Sequence, residues 1–387
     1  MSEKPRVIFA FTEAGLGHIM PLKSIADCFE KKYGDKVEIV RSNFFTETNE
    51  PSLIKYEKFL INEVKKHNKH IWYGHATTFI MNIFGSAIGS RFTMKWIAPR
   101  GAYKKAIEHV DELNADVFVS THWATNYYAM HSKNRPLTLT YVPDAFINPE
   151  FRYKADITLC SMKTGYDDAM KHHPKRYKNG DLKLVPFCIR NEAYDFDIGK
   201  MENRKKLGIP EDKFVITLAE GGYGIGKMED ICKTLLEKDL PVVLIPICGK
   251  NKELYDKLST LKNGKNAEIR PLAFTPNVFG YIASSDLFCG KSGNMIAEPT
   301  FFGVPSIITK HSTNIERHIG DYYEKYLKCA LTILDLNKII EKIEEFINDK
   351  TKLTPYIENA LKAHDKYGAE KSADYVYELL KRKYPEL

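Results

Sequence analysis

The sequence lacks the features of a disulfide-rich, metal-clustered or membrane-spanning protein. Its seven cysteines are scattered and odd in number, and none stands in a CxxC pair or at the spacing of metal ligands. Such usage is typical of reduced thiols in a cytoplasm. No apolar run is long enough to cross a bilayer, and the N-terminus has no apolar core of a signal peptide. We therefore expect a cytoplasmic protein that meets a membrane, if at all, only at its surface.

Acidic residues are absent from one stretch, Val64 to Lys105, which carries eight basic residues. Aromatic and apolar side chains lie between these charges, several at helical spacing. Such a segment suits an anionic membrane surface, although a core helix between solvated charges would show the same pattern. The candidate membrane-contacting residues are Lys65, Lys66, Lys69, Trp72, Phe79, Ile83, Phe84, Arg91, Lys95 and Trp96.

The net charge of +7 is modest, and outside this stretch the basic and acidic residues nearly balance. No recognised nucleic-acid-binding module is present, so the sequence predicts no nucleic-acid partner. The composition does not indicate an oligomeric state.

Three glycine-bearing turns each follow an apolar run and precede a helical pattern. They cover Glu13 to His18, Glu220 to Lys227 and Gly290 to Asn294. A strand, a glycine turn and a helix together aim backbone N–H groups and the positive helix end at the turn, which suits phosphate. Because such turns lie in both halves of the chain, we predict a ligand cleft between two domains.

The second of these turns nearly matches the GxxxxGK loop of proteins that bind nucleoside triphosphates. Met228 stands where a Ser or Thr would hold magnesium, and no acidic strand end follows to complete a metal site. The pattern therefore disfavours an ATPase or kinase. We predict instead that Gly221, Gly222 and Gly224 let the backbone approach a diphosphate or a sugar.

Strand-like runs alternate with helical patterns along the chain, which is typical of parallel sheets covered by helices on both faces. A length of 387 residues exceeds what one hydrophobic core usually serves. The polar segment Asn191 to Asn203 marks the boundary, so we predict domains over 1–195 and 204–353 and a helical segment over 354–387. The predicted strands are Val7 to Phe11, Val37 to Val40, Asp116 to Ser120, Leu137 to Val142, Ile157 to Cys160, Lys183 to Val185, Phe214 to Ala219, Val242 to Ile247, Ala267 to Ile269, Leu287 to Cys289 and Ser306 to Ile308.

The order of several motifs resembles one family of glycosyltransferases. In the second half, TLAEGGYGIGKMEDICKTLL, VVLIPICGKNKELYDKL and IRPLAFTPNVFGYIASSDLFCGKSGNMIAEPTFFGVPSII are similar to segments of monogalactosyldiacylglycerol synthases and bacterial diacylglycerol glucosyltransferases. In the first half, GLGHIMPLKSIADCF resembles the GGGH-type loop of that family and of the peptidoglycan N-acetylglucosaminyltransferase MurG. ADVFVSTHW and LTYVPDAFINPEF follow in the expected order, so the resemblance covers most of the chain.

This resemblance implies an α/β protein of the GT-B fold, in which two Rossmann-like domains face each other across a cleft. It implies a nucleotide sugar on the C-terminal domain, an acceptor on the N-terminal domain, and an inverting reaction that needs no metal or cofactor. The expected partners are a UDP-sugar, diacylglycerol or a related lipid, and the anionic inner face of the cell membrane.

The resemblance also implies roles for residues around the third glycine turn. Glu298 matches the family's glutamate that binds the ribose hydroxyls, although a surface helix carboxylate is the alternative. Backbone N–H groups of Ser292, Gly293 and Asn294, beside Lys291, would bind the diphosphate and stabilise the leaving nucleotide.

In the first half, His18 and Asp144 are the candidate catalytic residues. His18 matches the loop histidine of the family, and Asp144 matches its acidic residue in the equivalent loop. Either is a candidate general base, with the other orienting it or the acceptor; a capping histidine and a turn-forming aspartate are the alternatives. Gly15, Gly17 and His122 complete the predicted acceptor site.

Two other functions stay open. The spacing from Gly293 to Glu298 resembles the SGGxxEE segment of UDP-N-acetylglucosamine 2-epimerases, which share the GT-B architecture. A sensor that binds a UDP-sugar without turnover is the non-enzymatic alternative. The DxD at Asp195 to Asp197 lies in the predicted linker and is not assigned to a metal.

Overall fold

The computed structural model describes residues 4–13, 16–69, 102–147, 155–172, 174–177, 180–220, 226–363 and 367–387. It divides into two compact units. Unit 1 comprises Met1–Arg190 with Lys366–Leu387, and unit 2 comprises Asn191–Asp365. The division falls at the start of the polar segment used to predict the boundary, and the predicted helical segment over 354–387 contributes to both units.

Unit 1 contains a six-stranded sheet in the order β2-β1-β3-β4-β5-β6, and every neighbouring pair is parallel. Its strands are β1 (Arg6–Phe11), β2 (Glu38–Asn43), β3 (Val117–Ser120), β4 (Leu137–Val142), β5 (Ile157–Cys160) and β6 (Leu182–Leu184). Its helices are α1 (Leu16–Tyr33), α2 (Pro51–Lys69), α3 (Ala102–Leu113), α4 (Trp123–His131), α5 (Lys163–His172) and α14 (Gly368–Lys381).

Apolar runs bury the central strands of this sheet on both faces, as parallel sheets require. One face is covered by α1 and by α14, which returns from the far end of the chain to pack Val376 and Leu380 into the same core. The rings of Tyr33 and Tyr377 stack with centroids 3.9 Å apart. A side chain at Gly368 would lie 2.4 Å from the carbonyl oxygen of Pro186, so glycine is needed where α14 begins.

Unit 2 contains a second parallel sheet in the order β10-β8-β7-β11-β12-β13, with β9 paired to β8. Its strands are β7 (Phe214–Ala219), β8 (Val242–Gly249), β9 (Glu268–Ile269), β10 (Leu272–Ala273), β11 (Leu287–Lys291), β12 (Ser306–Lys310) and β13 (Ala330–Thr332). Its helices are α6 (Lys200–Leu207), α7 (Met228–Glu237), α8 (Lys252–Ser259), α9 (Val278–Ala283), α10 (Ala297–Phe301), α11 (Asn314–Asp321), α12 (Leu336–Asn348) and α13 (Thr354–Lys362). Short turns of other helix types cover Asn191–Phe196, Asn294–Ile296, Tyr322–Tyr326 and Lys350–Leu353.

A buried ion pair joins the start of unit 2 to its sheet. Arg204 donates from Nη2 to Asp286 at 2.7 Å and from Nε to the carbonyl of Ser284 at 2.8 Å. Its Nη1 donates to the carbonyls of Glu211 and Lys213. Because the guanidinium is hydrogen-bonded throughout, the burial of its charge is compensated.

The predicted α/β class with two parallel sheets is confirmed. Each of the eleven predicted strands corresponds to an observed strand, and the ends of most are shifted. The strands β10 and β13 were not predicted from the sequence. The helical pattern after the third glycine turn gives only the short helix α10, because a 3-10 turn at Asn294–Ile296 precedes it. No helix in the described ranges is long and apolar enough to cross a membrane.

Candidate acceptor and donor sites

The strand order of unit 1 reverses between β1 and β3, since β2 lies on one side of β1 and β3 on the other. Open parallel sheets bind ligands at such a switch point, at the carboxyl ends of the strands. His18 lies in the first turn of α1 after β1, and His122 follows β3. Their ring centroids are 6.4 Å apart, so the structure brings these two predicted residues together.

Two hydrogen bonds hold His18 against Thr121. The Nδ1 atom lies 2.9 Å from the carbonyl oxygen of Thr121, and the Thr121 hydroxyl donates to the carbonyl of His18 at 2.8 Å. Because a carbonyl oxygen only accepts, Nδ1 must carry the hydrogen. A neutral imidazole in this tautomer has its lone pair on Nε2, the atom that a general base uses.

His122 adopts the opposite tautomer. The backbone N–H of Ala124 donates to His122 Nδ1 at 3.2 Å, so Nδ1 carries the lone pair and Nε2 the hydrogen. This bond makes His122 the N-cap of α4. Burial, with a smaller contribution from His18, lowers the pKa of His122 to about 3. The ring is therefore neutral at physiological pH.

Asp144 follows β4 at the same edge of the sheet and is 5% exposed. Burial raises the pKa of Asp144, and the nearby charge of His18 lowers it in part. The two residues therefore interact electrostatically.

Glu57 was missed by the sequence reading. It lies on α2, is 3% exposed, and accepts the backbone N–H of Glu13 at 2.8 Å and the hydroxyl of Thr12 at 3.1 Å. Its other oxygen accepts the hydroxyl of Thr46 at 2.6 Å. A buried carboxylate thus anchors the chain where it leaves β1 and enters the first glycine turn.

The remaining predictions for unit 1 are only partly covered by the described residues. Gly17 lies in the first turn of α1, whereas Gly15 lies outside the described part of the chain. Lys66 pairs with Glu63 at 2.9 Å on α2. The side chains of Lys65 and Lys69 are not among those that the structure describes. The other candidate membrane residues, Trp72, Phe79, Ile83, Phe84, Arg91, Lys95 and Trp96, also lie outside it.

In unit 2 the strand order reverses between β7 and β11, and the third glycine turn follows β11. A side chain at Gly290 would lie 2.4 Å from the carbonyl oxygen of Ala219, so this glycine permits close packing of the two strands. Gly293 has φ 146° and ψ −174°, a conformation essentially restricted to glycine. No atom lies within 4 Å of where its side chain would be, so the turn is open at this position.

Ser292 supports this turn from within. Its hydroxyl donates to the carbonyl of Glu316 at 2.5 Å, and its backbone N–H donates to the carbonyl of Lys310 at 2.7 Å. Both donors are therefore engaged, and the predicted donation by the Ser292 N–H to a diphosphate requires the Lys310 bond to open. Gly293 and Asn294 remain the candidates for that contact.

Two lysines lie at the carboxyl ends of β11 and β12. Lys291 pairs with Glu316 at 2.5 Å, with 13% and 18% of the two side chains exposed. Burial and the charge of Lys291 lower the pKa of Lys310, which the sequence reading did not single out. The edge of the sheet thus places two lysines beside the open turn, one of them paired with Glu316.

Glu220 follows β7 at the same edge and is 5% exposed. Its Oε1 atom accepts the backbone N–H of Lys227 at 2.6 Å, at the N-terminus of α7. A side chain at Gly226 would lie 2.0 Å from this oxygen. Burial raises the pKa of Glu220, against the lowering effect of the Lys227 and Met228 N–H groups and of Lys310 and Lys291.

The other predicted donor residues lie around this edge or outside the description. Glu298 is half-buried in α10, one short turn after Gly293. Gly221, Gly222 and Gly224 lie outside the described residues. Asp195 lies in the helical turn Asn191–Phe196 of unit 2.

No protein-family model matches the chain. The processive diacylglycerol beta-glucosyltransferase of Bacillus pumilus is 27% identical over 192 residues, 49% of each chain. The monogalactosyldiacylglycerol synthase of Spinacia oleracea is 23% identical over 356 residues, 85% of this chain and 65% of the relative. The chain thus spans about half the length of the first relative and 65% of the second.

The solved structure of MurG from Acinetobacter baumannii superposes with a TM-score of 0.61, covering 97% of this chain and 99% of MurG at 11% identity. The chain has the GT-B fold. The predicted fold and the predicted resemblance are therefore confirmed. A putative UDP-N-acetylglucosamine 2-epimerase from Listeria monocytogenes gives a TM-score of 0.58 at 12% identity, covering 99% of this chain and 97% of the epimerase. Transferases and epimerases share the GT-B fold, so the fold alone does not choose between them.

Proposed function

We propose that this GT-B protein is an inverting glycosyltransferase that moves a hexose from a UDP-sugar to the hydroxyl of diacylglycerol or a related lipid at a membrane surface. The observation that carries the proposal is that His18 lies near His122 at the switch point of unit 1, where it also interacts electrostatically with the buried Asp144. An acceptor hydroxyl needs a base, and this site supplies one. The similarity to transferases named for diacylglycerol supports the lipid acceptor.

His18 is proposed to be the general base. The bond from Nδ1 to the Thr121 carbonyl fixes the ring so that Nε2 takes the proton of the acceptor hydroxyl. The freed oxygen attacks the anomeric carbon of the sugar, and the bond from that carbon to the diphosphate breaks, which inverts the centre. Asp144 stabilises the imidazolium that results.

The leaving UDP is proposed to bind at the open turn of unit 2. Backbone N–H groups at Gly293 and Asn294 and the positive charge of Lys291 and Lys310 suit a diphosphate without a metal. Glu298 would bind the ribose hydroxyls. We expect turnover to persist in EDTA.

Membrane docking is the part of the proposal that rests on sequence alone. We expect the quintuple charge reversal of Lys65, Lys66, Lys69, Arg91 and Lys95 to Glu to abolish binding to anionic vesicles, because basic residues bind anionic lipids electrostatically. Unchanged binding would remove the docking proposal. A matched control reverses five exposed lysines of unit 2 and should keep most of the binding: Lys205, Lys206, Lys250, Lys262 and Lys265.

The proposed function is tested by incubating the protein with a panel of UDP-sugars and anionic vesicles that contain diacylglycerol. Mass spectrometry detects the released UDP and the lipid products. A hexosyl lipid supports the transferase and identifies the sugar. A change of the UDP-sugar without change of mass would favour the epimerase, and UDP-sugar binding without any product would favour the sensor.

A further inference from the structure

We propose that His122 is an acceptor-binding residue that donates a hydrogen bond from Nε2 to an uncharged oxygen of the lipid, either its hydroxyl or an ester carbonyl. The inference rests on the proposed function and assigns His122 a task distinct from that of His18. One histidine accepts the proton of the acceptor, and the other holds the acceptor in place.

The ring of His122 is fixed by its surroundings. Nδ1 accepts the N–H of Ala124, and the ring stacks on Trp123 with centroids 5.4 Å apart. The backbone on either side is held by Ser120, whose hydroxyl accepts the N–H of His122 at 3.0 Å and lies 2.8 Å from its carbonyl. A donor held in this way loses little conformational entropy when it binds a ligand.

Capping does not explain why the residue is a histidine. An N-cap needs one short acceptor, which Asn, Asp or Ser supplies as well. The cap uses only Nδ1, and no hydrogen bond within the described part of the chain involves Nε2. The N–H at Nε2 is therefore available at the edge where the acceptor is expected.

The charge state of His122 selects the kind of oxygen it binds. Its pKa of about 3 keeps the ring neutral, and His18, whose ring is 6.4 Å away, adds to the penalty for a second positive charge. A neutral N–H donor in a buried position suits a hydroxyl or carbonyl oxygen. The separation of the two rings lets one bound glycerol contact both.

Two variants separate capping from binding. H122N keeps an oxygen at the position of Nδ1 to cap α4 but has no atom at Nε2. We expect its KM for diacylglycerol to rise about 3- to 10-fold, as for one lost neutral hydrogen bond, with Tm close to that of the wild type. H122Q places an amide N–H near the position of Nε2 but caps poorly, so it should recover part of the KM at a lower Tm.

KM and Tm are therefore expected to change independently in the two variants. If His122 were purely structural, the KM would follow the Tm. A wild-type KM in H122N, or a KM that simply follows Tm across both variants, overturns the inference. If the wild-type protein forms no lipid product, the proposed function is overturned as well. If the wild type is active and H122N has the same KM, only the role of His122 is overturned.

A dialkylglycerol, which has ether oxygens in place of ester carbonyls, identifies the bound oxygen. If His122 contacts a carbonyl, the KM penalty of H122N vanishes with the diether. If it contacts the hydroxyl, the penalty persists. UDP-sugar Kd should not change in either variant, since the donor is proposed to bind unit 2.

Discussion

Glu220 accepts the backbone N–H of Lys227 at 2.6 Å, so a carboxylate of the chain itself lies at the N-terminus of α7. In loops that bind nucleoside triphosphates, phosphate oxygens receive such N–H groups. The near-match of this segment to GxxxxGK therefore has a structural explanation: the glycine at 226 makes room for the Glu220 carboxylate.

This contact predicts strong coupling between Gly226 and Glu220. G226A should lower the free energy of unfolding by about 2 kcal/mol, because the new methyl group would overlap a buried, hydrogen-bonded carboxylate. In an E220A background the same change should lower it by less than about 0.5 kcal/mol. Urea denaturation of the four proteins measures the cycle, and equal penalties in both backgrounds would refute the explanation.

The open turn at Gly293 predicts a separable effect on donor binding. G293A should lower the free energy of unfolding by about 1 to 3 kcal/mol through backbone strain alone, since no atom meets the new side chain. It should also raise the Kd of UDP about tenfold by turning the N–H groups away from the diphosphate. Gly199 offers a matched control with φ 93° and equally open space, so G199A should lose stability without changing the Kd. Calorimetry measures the stability and the UDP Kd of both variants. An equal loss of UDP affinity in G199A would contradict the assignment of the Gly293 turn to the diphosphate.

The buried carboxyl of Asp144 predicts a variant that is more stable and less active. Burial raises its pKa, so the folded protein binds this proton more tightly than the unfolded chain, and stability falls as pH rises through the raised pKa. D144N should raise the free energy of unfolding by about 1 kcal/mol at neutral pH and lower kcat at least about tenfold. The stability difference should shrink as pH falls below about 3.9, the ordinary pKa of aspartate, because the carboxyl is then increasingly protonated in the unfolded chain as well as in the folded protein. A D144N protein less stable than the wild type at pH 7 would contradict this reading.

Glu57 is expected to position the first glycine turn. E57A leaves the hydroxyl of the buried Thr12 and the N–H of Glu13 without their acceptor and should cost about 2 to 3 kcal/mol of stability and most of kcat. E57Q should lose less of both, because its amide oxygen can accept that N–H while the Thr46 hydroxyl reverses to accept from its NH₂. T46V, which leaves the Glu13 contact intact, should affect stability more than kcat. Equal kcat losses in E57A and T46V would argue for a purely structural Glu57.

Much of the fold could be predicted because its strands are continuous apolar runs that end in glycine or polar residues. β10 and β13 were missed because strands of two and three residues are too short to leave a pattern. The approach of His18 and His122 was also predictable in outline, because residues that follow neighbouring parallel strands meet at one edge of the sheet.

The supporting residues could not be predicted in the same way. Glu57 is one carboxylate among several polar residues of α2, and its partner Thr12 is 45 residues away in sequence. Glu220 and Lys310 did carry a signal, since each lies at the end of a strand. The hydroxyl of Ser292 donates to the carbonyl of Glu316, a residue far from it in sequence. No local sequence pattern predicts such a contact.

The central claim is tested most directly by hexose transfer from a UDP-sugar to diacylglycerol in vesicles, measured for the wild type and H18N. Asparagine can retain an N–H toward the Thr121 carbonyl but has no atom at the position of Nε2. We expect a hexosyl-diacylglycerol product that forms at least about 100-fold more slowly in H18N, at unchanged UDP Kd. No lipid product from the wild type, or an equal rate in H18N, would contradict it.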